Sequence, residues 1–161
     1  MRTHDWRATL SNNRRKGFSL IELLIVVAII LIIAAIAIPN LVRSKMAANE
    51  ASAVGSLHAI NTAAVTYSTT YGQYPPNLSS LTTSGAASST AADLVDTVLG
   101  SGTKSGYSFT YTVGASNVAF TVTASPVLLN VTGQRYFFTD QTFVIRANTS
   151  GAATSGSTPI S

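Results

Sequence analysis

Apolar and polar positions divide this chain into four stretches. Residues 1–17 are polar, with no periodicity. From Phe18 to Ile38 the chain is apolar apart from Ser19 and Glu22, with sixteen apolar residues in a row from Leu23 to Ile38, ending at Pro39. Those 21 residues are long enough to span a bilayer as a helix. Beyond Pro39 the pattern changes: Leu57, Ile60, Ala64, Tyr67 and Tyr71 recur at spacings of 3, 4, 3 and 4, one stripe of an amphipathic helix. Gly72 and Pro75-Pro76 mark its end. A helix continuous from Phe18 to Tyr71 would measure about 80 Å at 1.5 Å per residue. Pro39 removes a backbone donor, so a kink is expected there.

The period then falls to two. Tyr107, Phe109, Tyr111 and Val113 alternate with Ser108, Thr110 and Thr112. Val118, Phe120 and Val122 alternate with Ala119, Thr121 and Thr123, and Gly114–Asn117 reads as the hairpin loop between them. Tyr136–Thr139 and Thr142–Arg146 are two further candidate strands. Between helix and strands, residues 72–105 are a connecting region, with a short helix predicted at Ala91–Leu99 behind Thr90 as cap. The expected fold class is therefore α+β: a long N-terminal helix, apolar then amphipathic, packed on a three- to four-stranded antiparallel sheet. The predicted division is a leader at 1–17, a membrane or core helix at 18–39, and a globular domain at 40–149. That domain comprises helix 40–71, connection 72–105 and sheet 106–147. A flexible tail is expected at 150–161.

Charge sharpens this division. Five basic residues and one acid give the first 17 residues a net charge of +4, whereas residues 18–161 carry five of each and sum to zero. A basic flank before an apolar helix orients a membrane span with its N-terminus cytoplasmic. No basic patch remains beyond the leader, so no specific nucleic-acid binding is predicted. There is no cysteine, hence no disulfide and no thiolate metal site. Asp93, Asp96 and Asp140 lack a calcium-loop spacing, and His58 has no second ligand nearby, so no metal and no cofactor are expected. Without the leader, one histidine remains and no nucleophile–base set can be assembled, so no catalytic residue is assigned and the chain is not read as an enzyme.

Glu22 is the exception within the greasy run. A carboxylate inside a membrane helix costs roughly 2.5–3.5 kcal/mol on insertion scales, so it ordinarily has a partner and a purpose. Cleavage at Ala35-Ile36-Ala37 would be the ordinary secretory alternative.

The segment Arg15-Lys16-Gly17-Phe18-Ser19-Leu20-Ile21-Glu22-Leu23-Leu24, with Pro39-Asn40-Leu41 and Tyr71-Gly72-Gln73-Tyr74-Pro75-Pro76 beyond it, resembles the type IV pilins and type II secretion pseudopilins and their class III signal. The likeness covers about residues 14–76. It implies that a prepilin peptidase cuts between Gly17 and Phe18 and that the new amine of Phe18 is methylated. It implies that Glu22 acts with Phe18 in subunit assembly. It also implies inner-membrane insertion as a single-pass prepilin, followed by helical polymerisation of identical subunits at an assembly platform into a surface pilus. The expected role is the major subunit of a type IV pilus, serving adhesion, motility or secretion. A type II secretion pseudopilin is the alternative within the family, and a membrane-anchored minor pilin or adhesin is the alternative of another class. The pairing has a physical basis: a free amine and a carboxylate are both costly in an apolar core, and removing one leaves the other unpaired at about 3–5 kcal/mol. Many family members close their C-terminal end with a disulfide. This chain must instead pin that end by strand pairing or leave it mobile.

Overall fold

A computed structural model describes residues 17–83 and 86–160. The expected leader, 1–17, lies outside the described residues apart from Gly17. The first helix, α1, runs Leu20–Tyr71 with Pro39 inside it. It starts two residues later than the pattern predicts and ends where predicted. The chain divides into two compact units at Pro39 and Asn40.

In the first unit α1 is apolar on every side. All fifteen large apolar residues from Phe18 to Ile38 are exposed. This stretch is long and apolar enough to cross a membrane. Each such side chain gains about 1.5–3 kcal/mol when removed from water, so a cover of lipid or protein is a thermodynamic requirement.

The second unit is built on the amphipathic half of α1. Leu57, Ile60, Ala64 and Tyr67 of the predicted stripe are buried, and Tyr71 is half-buried. They share one core with Tyr107, Phe109, Phe120, Val122, Ala124 and Phe137 of the sheet. The sheet is antiparallel throughout, in chain order: β1 (Thr103–Lys104), β2 (Tyr107–Val113), β3 (Phe120–Pro126), β4 (Tyr136–Asp140), β5 (Arg146–Asn148) and β6 (Thr158–Pro159). It has six strands where three or four were expected. Two of the additions, β1 and β6, are only two residues long.

The hairpin β2–β3 forms as predicted, with Tyr107 opposite Pro126 and Val113 opposite Phe120. Val118, expected inside β3, stands instead in the connecting turn and is 72% exposed. The last strands shift as well. The expected strand Thr142–Arg146 is replaced by β5 from Arg146. Asp140 accepts hydrogen bonds from the Thr142 amide at 2.9 Å and from the Thr142 hydroxyl, and Phe143 takes a positive φ of 62°. Those contacts fix a turn where alternation suggested a strand.

The tail expected at 150–161 contains structure. Thr158 and Pro159 pair with Ala147 and Arg146, the Ile160 amide donates to the Ile145 carbonyl at 2.8 Å, and Ala153 is buried. Strand pairing thus pins the C-terminal end that cysteine cannot.

The connecting region folds around Leu81. Asn77 caps a 3-10 helix at Leu78–Leu81 by accepting from the Ser80 amide at 2.9 Å. Backbone amides of Leu94 and Val95 both donate to the Leu81 carbonyl. That pairing, with Asp93 at a positive φ of 53°, excludes the helix expected over Ala91–Leu99. A shorter helix, α2 (Thr97–Gly100), forms behind Asp96 instead of Thr90, and Asp96 also holds Lys104 at 2.8 Å.

Candidate functional site

The residues singled out by sequence lie at the start of the first unit. Gly17 has open space around it: a Cβ there would meet nothing within 4 Å. Nothing among the described residues therefore demands glycine at this position. Phe18, just before α1, is 73% exposed. Ser19 follows, and its backbone amide donates to Glu22 Oε2 at 3.1 Å, while the Ser19 carbonyl accepts from the Leu23 amide at 3.2 Å.

The Ser19–Glu22 contact is half of a capping box, in which an acid three residues into the helix satisfies the amide of the residue before it. The signature Ser-x-x-Glu is readable in sequence, yet its helix-capping role was absent from the expectations above. A carboxylate in the first turn also lies favourably in the helix dipole. Capping occupies one oxygen of Glu22, and no cation pairs with it among the described residues. Gly17, Phe18 and Glu22 thus sit together at one helix terminus, on a segment whose flanking side chains are uncovered.

Pro39 stands 17 residues further along α1, which is helical on both sides of it. Proline carries no N–H, so the carbonyl of Ala35 loses its ordinary i→i+4 partner.

A second polar centre lies in the globular unit and was not foreseen. Glu50, on α1, is 8% exposed. Its Oε1 accepts from the backbone amides of Gln134 at 2.8 Å and Arg135 at 3.2 Å, and its Oε2 accepts from Arg135 Nε at 2.7 Å. Burial pushes the Glu50 carboxyl up. The hydrogen bonds from Gln134 and Arg135, with the charge of the guanidinium, outweigh burial and hold it below the usual carboxylate range. Next to it Asn49 Nδ2 donates to the Thr132 carbonyl at 2.8 Å. The Arg135 carbonyl accepts from the Tyr107 hydroxyl at 2.8 Å, and its guanidinium lies 5.3 Å from the centre of the Phe137 ring. Burial is also the main reason the Tyr107 hydroxyl is pushed far above its usual range. This arrangement holds the β3–β4 loop to α1. With both Glu50 oxygens engaged by Gln134 and Arg135, it is a structural clamp.

Among the described residues no three His, Cys, Asp or Glu side chains cluster as metal ligands. Asp96 and Asp140 serve separate local contacts, accepting from the Leu99 and Thr142 amides respectively.

Comparison with known proteins agrees with the N-terminal geometry. Residues 12–38 match the model of the prokaryotic N-terminal methylation motif. The chain is 49% identical over 57 residues to the type IV major pilin protein PilA of Myxococcus xanthus, covering 35% of this chain and 26% of that protein. It is 63% identical over 35 residues to the type IV wide pilus major component PilA4 of Thermus thermophilus, covering 22% of this chain and 27% of that protein. The chain thus matches about a quarter of the length of each of these relatives. No solved structure matches it. The Gly17–Phe18 junction, Glu22 and the apolar run to Ile38 all fall inside the matched motif, and over this N-terminal region the chain is similar to type IV major pilins.

Proposed function

We propose that this chain is the major structural subunit of a type IV pilus. It enters the inner membrane as a single-pass prepilin, is cut between Gly17 and Phe18, is methylated at Phe18 and polymerises with identical copies at an assembly platform. The observation that carries this reading is the first unit of α1. It is apolar on every side and bears one carboxylate, Glu22, in its first turn. Lipid can cover such a helix before assembly, and the same helices of other copies can cover it afterwards.

Glu22 supplies the specificity that apolar contact lacks. Its charge has no cation beside it within its helix, and the amine created at Phe18 by cleavage supplies one on a neighbouring copy. An ion pair in an apolar core fixes axial register, because any slip leaves two charges uncompensated. Both relatives, one a type IV major pilin and the other a wide pilus major component, favour a surface pilus over a pseudopilin filament. The test is electron microscopy of the native cell with and without the gene. Long surface filaments that vanish on deletion and return with the intact gene support the proposal. Cells with unchanged filaments, or none in either strain, contradict it.

A further inference from the structure

A second surface in the globular unit points to how copies meet outside the apolar core, an inference that rests on the filament reading above. Between β3 and β4 the chain displays Val127, Leu128, Leu129 and Val131, each more than half exposed. These are four large apolar side chains within five residues, on a surface otherwise rich in Ser and Thr. The loop is held in one shape. The Thr132 amide donates to the Leu128 carbonyl at 2.9 Å, the Leu128 amide to the Thr132 hydroxyl at 3.1 Å and the Asn130 amide to the Gly133 carbonyl at 2.9 Å. Asn49 and Glu50 then clamp its base to α1. A loop rigid before contact loses little entropy on docking, which is the property of an anchor. Arg43, which shares a cavity with Gln134, forms no ion pair among the described residues.

The matching surface lies further along α1. His58, Ala59, Thr62, Ala63 and Thr66 line a groove bounded by Leu94. Ala59 and Ala63 are four residues apart, as are Thr62 and Thr66, so small side chains form two adjacent rows. Such a floor leaves room for a leucine. Asp93, next to Leu94, is exposed and without an ion pair among the described residues. One surface therefore offers an apolar projection with a cation, Arg43, beside Gln134 at its base, and the other an apolar recess with an acid, Asp93, next to Leu94.

We propose that the Val127–Val131 loop of one copy docks into the α1–Leu94 groove of the next, with Arg43 facing Asp93. Projection and recess occupy different parts of the same chain. Such a heterologous contact leaves one of each free at the ends and propagates without closing, as a filament requires. The occupant is thus a second copy of this chain.

The absence of cysteine makes the test clean. Full-length Leu129→Cys and Ala59→Cys chains are co-expressed in the native cell, filaments are sheared off and mild oxidation is applied. The expected result is disulfides joining one variant to the other. Those two positions must then approach within the ~7 Å Cα limit for a disulfide. A paired Leu128→Ser, Leu129→Ser chain, whose thermal unfolding should match the parent, is expected to yield at least about tenfold fewer filaments. Filaments with no cross-link between the variants overturn the docking while leaving the pilus reading intact. Links only within the Leu129→Cys population overturn it in favour of a symmetric contact. A label at Leu129→Cys shielded by lipid, with no cross-link in filaments, overturns it in favour of a membrane contact. Failure of the parent chain to form filaments overturns both readings.

Discussion

Arg135 Nε lies 2.7 Å from Glu50 Oε2, joining residues 85 positions apart across the base of the β3–β4 loop. The partners are unequally buried: Glu50 is enclosed, while the Arg135 side chain is 41% exposed. Solvent screening reduces the worth of the ion pair itself. The larger effect of removing Glu50 is the loss of an acceptor for two backbone amides at a partly buried site. Glu50→Ala should therefore cost about 2 kcal/mol. Thermal unfolding of the detergent-solubilised full chain should shift down by roughly 6–10 °C. An unchanged midpoint would show that the clamp is dispensable.

The same carboxylate gives a pH dependence. Its folded-state pKa lies below the ordinary value, so its stabilisation is complete above the unfolded-state pKa, near 4.3, and disappears as pH falls through the lower folded value. The parent's advantage over Glu50→Gln should be flat from neutrality to about pH 5 and shrink below about pH 4. Paired unfolding curves across this range measure it. An advantage independent of pH would mean that the charge of Glu50 contributes nothing.

Glu22 has two physical roles that a pair of substitutions separates. Within its own helix it accepts from the Ser19 amide, a contact worth on the order of 1 kcal/mol. Between copies its charge would pair with the Phe18 amine. Glu22→Gln keeps an oxygen to accept from Ser19 and loses the charge, whereas Glu22→Ala loses both. Both variants should be inserted and cleaved normally and both should give little filament. Near-normal filament yield from Glu22→Gln would make helix capping, and not charge, the function of this residue.

Gly133 is held by a neighbour. A Cβ built there would come within 2.7 Å of Cζ of Tyr107, a fully buried ring whose hydroxyl is tied to Arg135. Gly133→Ala must displace that ring or the loop, at about 1–3 kcal/mol. Since the loop also carries Leu128 and Leu129, the variant should lower filament yield as well as the unfolding midpoint. A midpoint equal to the parent's would show that the loop adjusts freely.

What sequence reveals here depends on the range of the interactions. The stripe from Leu57 to Tyr71 and the alternation from Tyr107 to Val113 are legible because burial repeats with the period of the element. The N-terminal methylation motif is legible because Gly17, Phe18 and Glu22 lie within six residues of sequence. β5 and β6 were missed because Arg146-Ala147-Asn148 and Thr158-Pro159 have no apolar alternation, and their pairing spans a loop. The helix expected at Ala91–Leu99 had good local propensity. It lost to backbone pairing with Leu81, which no window of the sequence displays. The Glu50 clamp was invisible for the same reason, since nothing near residue 50 announces a partner at 135. The partner proposed for Glu22, a neighbouring copy's amine, lies in another molecule.

The most direct test is the intact mass and N-terminal sequence of the protein sheared from the cell surface. The account predicts a chain that begins at Phe18, with a mass one methyl group above that of residues 18–161. A chain beginning at Met1, or one cut after Ala37, would contradict it. The first would keep the charged leader on the apolar helix, and the second would remove that helix and Glu22 with it.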